Sequence, residues 1–314
     1  MTPPRLDQFL GCLLGQAVGD SLGAPLEGLP SDHIYWTFGV SLDLVEKPLE
    51  DELRYTDDTQ MMIGVAETLA ACGRIDEAVL CRAFVDNYHP DRCYGPGARR
   101  VLEAMAAGED WRTLARVQFP GGSLGNGAAM RVAPVGLLFC DDLDRVAEEA
   151  RLSALPTHVH PLGIEGAQVL ALAVALAARE PRLNRKRFYR ELLARVQSEE
   201  FRWALSFAAQ IRPGDPVGTL GNTLAAHRSV VTAVATFASS PRSYSFAVGR
   251  AIGLGNDTDT LAAMTGALSG AHLGVRAIPA HLIERLEDGN KGCSYLKELA
   301  ERLCDRFQQR LHPA

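Results

Sequence analysis

Two short acidic stretches carry the residue types best suited to chemistry. The run YTDDTQM sets Thr56, Asp57, Asp58 and Thr59 side by side at the head of an apolar helical segment. Far along the chain, GNDTDTLAAM brings Asp257, Asp259 and Thr260 to the head of another. Each stretch alone reads as a helix cap, Asp57 with Gln60 as a capping box and Asp257 with Thr260 three residues on. Taken together, the four carboxylates have no Lys or Arg alongside and would repel one another if unpaired. Two divalent cations would balance their four charges. Carboxylate and hydroxyl oxygens suit Mg²⁺ or Mn²⁺ better than Zn²⁺. This reading requires the two stretches to meet in the fold.

Two further segments add candidates. GDSLGAPLEGLP places Glu27 in a Gly/Pro-rich loop after the first helix. It is either a solvated loop glutamate or a carboxylate free to reach a site. In FPGGSLGNGAAMRVAPVGLLF, Gly121, Gly122, Gly125 and Gly127 are expected to open a helix through Ala128, Ala129 and Met130. Such a turn lets backbone N–H groups approach a phosphate. The G-K-[ST] ending of a Walker loop is missing.

The elements that must position these residues are helical. Apolar residues recur at helical spacing in LDQFLGCLLGQAVGDSLG, in DDTQMMIGVAETLAACG up to Gly73, and in DEAVLCRAFVDNYH. They do so again in PGARRVLEAMAAG, DDLDRVAEEARLSAL, GIEGAQVLALAVALAARE and the long RKRFYRELLARVQSEEFRWALSFAAQI. NTLAAHRSVVTAVATFAS, SYSFAVGRAIGLG, DTDTLAAMTGALSGAHLG and SYLKELAERLCDRFQQRL complete the set. Alternating β-branched strands are absent. The Pro/Gly breaks, FPGGSLGNG and RPGDPVG, are too short to divide the chain, and no repeat or low-complexity tract appears. The expectation is an all-α fold forming one domain over residues 1–314, with Gly- and Ala-rich helices in close contact.

Composition narrows the function. With 314 residues, 47% hydrophobic and 22% charged, the chain is globular, and its net charge of −6 gives no footprint for nucleic acid. Seven cysteines, an odd number with no C-x-x-C pair, fit reduced thiols in a cytoplasmic protein rather than a disulfide framework or zinc knuckle. MTPPRLDQFLGCLLG lacks the long apolar stretch of a signal peptide. GAQVLALAVALAA is too short for a membrane span and reads as a buried helix.

In this order, GCLLGQAVGDSLGAPLEG, YTDDTQM, DRCYGPG, GSLGNGAAMRVAPV, THVHPLG, LGNTLAAHRSVVTA and GNDTDTLAAMTGALSGA resemble the ADP-ribosylglycohydrolase superfamily. The resemblance runs from about Phe9 to about Gly274. It implies a compact all-α fold, a centre of two Mg²⁺ or Mn²⁺ ions, and cleavage at ribose C1″ of ADP-ribosylated substrates, with ADP-ribose as product. By motif, Thr56, Asp57 and Asp58 would hold one metal, Asp257 and Thr260 the other, and Asp259 would bridge. Glu27 would be the catalytic acid or base. Gly122, Ser123, Leu124, Gly125 and Asn126 would hold the pyrophosphate and ribose, with Phe119 near adenine, His158 near the diphosphate and Asn222 on the adenine side. The bland alternative for His158 is a packed or capping histidine.

DRCYGPG, GNGAAMRV and GNDTDTLAAMTGALSGA resemble the serine-directed branch, which implies an O-linked substrate such as ADP-ribosyl-serine or O-acetyl-ADP-ribose, with poly(ADP-ribose) as a further one. GDSLGAPLEG and RVAPV resemble arginine-directed members instead, and Leu124 stands where serine-directed relatives carry tyrosine in GSYGNG. The competing readings are an ADP-ribosyl-arginine hydrolase, an ADP-ribose-binding module without turnover, and a structural protein whose aspartates are caps. No nucleic acid or membrane partner is expected.

Overall fold

The computed structural model describes residues 3–212 and 214–312, without the side chain of Ser41. Met1 and Thr2 of the amino-terminal stretch, Pro213 of the RPGDPVG break, and Pro313 and Ala314 lie outside them. The described residues form seventeen α-helices and no β-ladder, only three isolated bridges. In chain order these are α1 (Leu6–Gly23), α2 (Ser31–Phe38), α3 (Ser41–Glu46), α4 (Asp57–Cys72), α5 (Glu77–Asn87) and α6 (Pro96–Ala106). Next come α7 (Trp111–Gln118), α8 (Ala133–Leu138), α9 (Leu143–Ala154), α10 (Pro161–Arg179), α11 (Arg185–Leu193) and α12 (Glu199–Gln210). The last five are α13 (Ala226–Ser239), α14 (Tyr244–Ile252), α15 (Thr258–Leu273), α16 (Ala280–Arg285) and α17 (Cys293–Leu311).

The pair that builds the site is α1 with α15. Gly11, Gly15, Gly19 and Gly23 stand four apart and so lie on one face of α1. A methyl group on each would come 2.4, 2.6, 2.2 and 2.4 Å from the carbonyl oxygens of Gly270, Gly266, Ala262 and Thr258. The two backbones are therefore in direct contact along an antiparallel seam. Its end sets the last turn of α1 against the first turn of α15. The expected close packing of Gly-rich helices is found here.

Helix α10 is apolar on all sides and packs against α8, α9, α13 and α15. By length and composition it would suffice to cross a membrane, yet 78% of its apolar window is buried among the other helices. Around it, one core cluster runs from Phe9 to Phe307. Helix α4 ends at Gly73 in the left-handed conformation (φ 68°), as its sequence predicts.

The long segment from Arg185 to Ile211 is two helices rather than one. Ser198 caps α12 by accepting from the Phe201 N–H, and Glu165 of α10 accepts from the Ser198 N–H and hydroxyl. Ser198 followed by Glu199 and Glu200 is a helix-start signature inside an otherwise continuous periodic run. The short helices α2, α3, α7, α8 and α16 have too few turns to show a period.

Candidate metal centre and nucleotide cavity

Helix α4 delivers Asp57 and Asp58, but neither caps it. Thr56 is the N-cap, its hydroxyl accepting from the Asp58 N–H at 3.4 Å. The stronger cap comes from another helix. Asp20, in the last turn of α1, accepts from the Thr56 N–H (3.0 Å) and hydroxyl (2.8 Å) and from the Thr59 N–H (3.0 Å) and hydroxyl (2.6 Å). Gln60 is no capping-box partner either; its carbonyl accepts from the His89 N–H and the Tyr94 hydroxyl. Asp20 thus does the capping and leaves Asp57 and Asp58 free to face a ligand.

The second stretch follows the same logic. Asp257 stands at the N-cap position of α15 without capping it. Its Oδ2 accepts from Asn126 Nδ2 at 2.6 Å, and that amide also reaches Ser229 Oγ. Asp259 Oδ1 accepts from the Thr260 N–H at 2.8 Å. Thr260 Oγ1 lies 3.3 Å from Asp58 Oδ2, as does Thr56 Oγ1, so the two acidic stretches meet. Carboxylate oxygens of Glu27, Asp257 and Asp259 all lie within 4.8 Å of one another. Glu27 follows a 3₁₀ turn, Ala24–Leu26, and its loop is tied to the α15 approach: the Gly28 N–H donates to Asn256 O, and the Asn256 N–H to Leu29 O. Glu27 is exposed at the rim, with the Asp257 and Asp259 carboxylates as its neighbours.

The electrostatics are those of carboxylates gathered without a counter-charge. Burial first, then Asp20, pushes the Asp57 carboxyl up to about 8. Burial and then Asp259 hold Asp58 well above the carboxylate range; burial, Asp257 and Glu27 do the same for Asp259. Asp257 is raised by burial against the lowering effect of the Asn126 bond, and Glu27 by burial and then Asp257. Asp20 is raised by burial to about 6 despite its four donors. Asp58 Oδ1 is buried and has no hydrogen-bond partner among the described residues. An orphaned carboxylate oxygen amid raised carboxyls, with hydroxyl oxygens beside it, fits a hard divalent cation.

From this acidic end a cavity of about 510 Å³ extends past Phe119, Ser123, Gly125 and Asn126 to Arg131 and His158. Its volume is that of a small-molecule site. Thr56, Gly122, Leu124 and Asn222 lie off its lining. A methyl group on Gly122 would stand 2.4 Å from the His160 nitrogen, so this residue seats the loop. The Leu124 side chain is 42% exposed, and its carbonyl accepts from the Ala226 N–H. Asn222 Nδ2 donates to Leu254 O and Gly255 O, which fastens the turn before Asp257.

The glycines do not open an α-helix: a single 3₁₀ turn, Asn126–Ala128, follows them, and α8 begins only at Ala133. Pro134 and a 3₁₀ geometry explain the shift, since proline favours the start of a helix over its interior. The amides of Gly122, Gly125 and Asn126 already donate, to Phe119 O, Ser123 Oγ and Leu224 O.

Asp20, Arg131, Thr157 and the wall from Gly95 to Ala98 fall in or beside motifs quoted for the resemblance, but the sequence assigned them no role. The wall meets Phe119 closely, because a methyl group on Gly97 would stand 2.4 Å from its ring. Asp20 had a readable signal, an acid in the last turn of an apolar helix, where the helix dipole disfavours it.

The chain belongs to the ADP-ribosylglycohydrolase family, whose model matches residues 1–313, and so to the glycosyl hydrolases that act on ADP-ribosylated substrates. It is similar to the ADP-ribosylhydrolase ARH3 of Bos taurus, 32% identical over 98% of this chain and 94% of that protein. The ARH3 of Homo sapiens is also 32% identical, over 97% and 94%. A solved structure titled ADP-ribosylglycohydrolase-related protein complex superposes with a TM-score of 0.72 at 26% identity, covering 96% of this chain and 99% of the other.

Proposed function

We propose that this enzyme hydrolyses the ribose C1″ bond of O-linked ADP-ribose, in ADP-ribosyl-serine or O-acetyl-ADP-ribose, and that it needs two Mg²⁺ or Mn²⁺ ions. The observation that carries the reading is the meeting of Asp57, Asp58, Asp257 and Asp259 with Glu27 at one end of a nucleotide-sized cavity. Thr56, Asp57 and Asp58 would hold one ion, Asp257 and Thr260 the other, with Asp259 shared. Bound there, the ions would supply positive charge to orient the ribose hydroxyls and a water. The chain's own residues do the rest. Asn126 holds the Asp257 carboxylate in place. Asp20 fixes the turn that carries Asp57 and Asp58. Glu27, raised above an ordinary glutamate, handles the proton between the attacking water and the leaving oxygen. Ser123 and His158 would contact the diphosphate and ribose, with Gly125 and Asn126 forming the wall beside them and Phe119 beside the adenine.

The acceptor assignment has structural support. Every carboxylate lining the cavity belongs to the acidic cluster, and the cationic side chains there are Arg100 and Arg131. An arginine acceptor would ask for a carboxylate of its own to pair with the guanidinium. The domain, residues 1–314, would act in the cytoplasm on ADP-ribosylated proteins or O-acetyl-ADP-ribose, releasing ADP-ribose without nucleic acid or membrane partners. Release of ADP-ribose from serine-linked and arginine-linked peptides, with Mg²⁺ and with EDTA, tests this. Metal-dependent release from the serine peptide is expected. Preference for the arginine peptide would move the acceptor, and binding of ADP-ribose without release from either would reduce the chain to a binding module.

A further inference from the structure

Arg131 lines the same cavity, is buried (1% exposed) and forms no ion pair with any described residue. Its Nη2 donates to Ser153 O at 2.9 Å and to Thr157 Oγ1 at 2.8 Å, and its guanidinium lies over the Phe84 ring. Thr157 Oγ1 in turn is 2.7 Å from His158 Nδ1. No hydrogen bond from a described residue reaches His158 Nε2. That edge of the ring faces the glycines of the cavity wall: methyl groups on Gly127 and Gly125 would stand 3.4 and 3.7 Å from Nε2.

The donor inventory leaves one consistent arrangement. A guanidinium has no acceptor, so Thr157 Oγ1 must accept from Arg131. The hydroxyl then has one proton to place, and His158 Nδ1 is the acceptor within reach. A proton on Nδ1 would leave the buried Thr157 hydroxyl with no acceptor among the described residues, a cost that native interiors avoid. Nδ1 is therefore bare and the neutral ring carries its proton on Nε2, toward the cavity. We infer that Arg131 and Thr157 are positioning residues that lock His158 as the Nε2–H tautomer, so that a neutral imidazole donates a hydrogen bond to an anionic oxygen of the ligand. The buried Arg131 charge also opposes protonation of the ring, which burial first and Arg131 second push down to about 3. This puzzle of a buried guanidinium without a carboxylate then has a purpose: it sets the direction of a proton two bonds away.

The inference rests on the proposal that the ligand is a diphosphate, and the test separates the two. In ¹⁵N-histidine-labelled protein without ligand, with His158→Gln to assign the signals, the wild type should show a protonated Nε2 and a bare Nδ1 for His158. Thr157→Val, close to isosteric, should mix the tautomers. It should raise KM and the Kd for free ADP-ribose about tenfold, as loss of an oriented hydrogen bond to a charged group would, while leaving kcat within about twofold. Thr157→Ser should restore the wild-type tautomer and affinity, which recovery of mere packing would not do for the tautomer. A proton on Nδ1 in the wild type overturns the relay, and that reading needs no variant to fold. Unchanged ADP-ribose affinity in a Thr157→Val protein with altered tautomer overturns its role in binding. A wild type with the expected tautomer that does not bind ADP-ribose would overturn the ligand assignment, and with it the purpose given to the relay.

Discussion

Stripping the metal and moving pH from 5 to 7 should destabilise this protein, and the size follows from the acidic cluster. The unfolded chain ionises Asp57 above its ordinary 3.8, whereas the folded chain holds that proton up to about 8. Across pH 5 to 7 Asp57 by itself therefore makes the native state bind about one proton more than the unfolded state, and the raised Asp58 and Asp259 act in the same direction. Stability falls as pH rises when the native state holds the extra proton. One proton over two pH units is worth on the order of 3 kcal/mol. Asp20, ordinary at 3.8 and folded at about 6, adds to the fall in the lower half of the window. An unfolding entropy of about 2.1 cal/mol/K per residue over 314 residues converts the Asp57 contribution alone into roughly a 4 °C drop in Tm. Saturating Mg²⁺ should remove this slope, because the carboxylates are then ionised in both states. The assay is calorimetry at pH 5 and 7, with EDTA and with Mg²⁺, on the wild type and Asp57→Asn. The quantity of interest is the difference between metal-free and metal-loaded slopes, which cancels titrations elsewhere. Asp57→Asn should raise the metal-free Tm at pH 7 while impairing metal binding. A metal-free Tm that climbs between pH 5 and 7, or a slope that survives both Mg²⁺ and Asp57→Asn, would refute the picture of uncompensated carboxylates.

Two other substitutions test the remaining parts. Glu27→Gln should keep fold and metal affinity but lower kcat on the order of 10²–10⁴-fold; near-wild-type turnover would make Glu27 an ordinary loop residue. Gly270→Ala should cost about 3 kcal/mol or more in denaturant unfolding, as overpacking does, because its methyl would stand 1.8 Å from Gly11 O. A loss under about 1 kcal/mol would mean that the seam has slack.

Much of this architecture was legible because α1, α4, α10 and α15 are long enough for a period to show, and because Gly11, Gly15, Gly19 and Gly23 repeat at the spacing of one helix face. The acids were legible as a set since Asp, Thr and Asp without lysine or arginine is a poor surface pattern and a good cation shell. Their caps were misread for a physical reason. Local sequence shows which side chain can fold back on its own helix, but α4 is capped by Asp20 from α1, a bond spanning 36 residues at Thr56 and 39 at Thr59. The same distance problem hid Arg131 and Thr157, whose significance lies in a contact across 26 residues. Asn222 entered through the family resemblance alone; what local sequence did not show is that its amide satisfies two carbonyls of the turn before Asp257.

The seam between α1 and α15 also says where this enzyme can change over evolutionary time. Backbone touching backbone at Gly11, Gly15, Gly19 and Gly23 leaves no room for a larger side chain at any of those four positions. The spacing between Asp20 and Asp259 is thus inherited whole or lost whole. Drift in acceptor preference has to be written elsewhere, in segments whose residues are free to be replaced. The exposed Leu124 and Leu224 on paired loops, and the rim that bears Glu27, are such places. A library meant to redirect this hydrolase to another linkage would do well to spare the seam and diversify those loops.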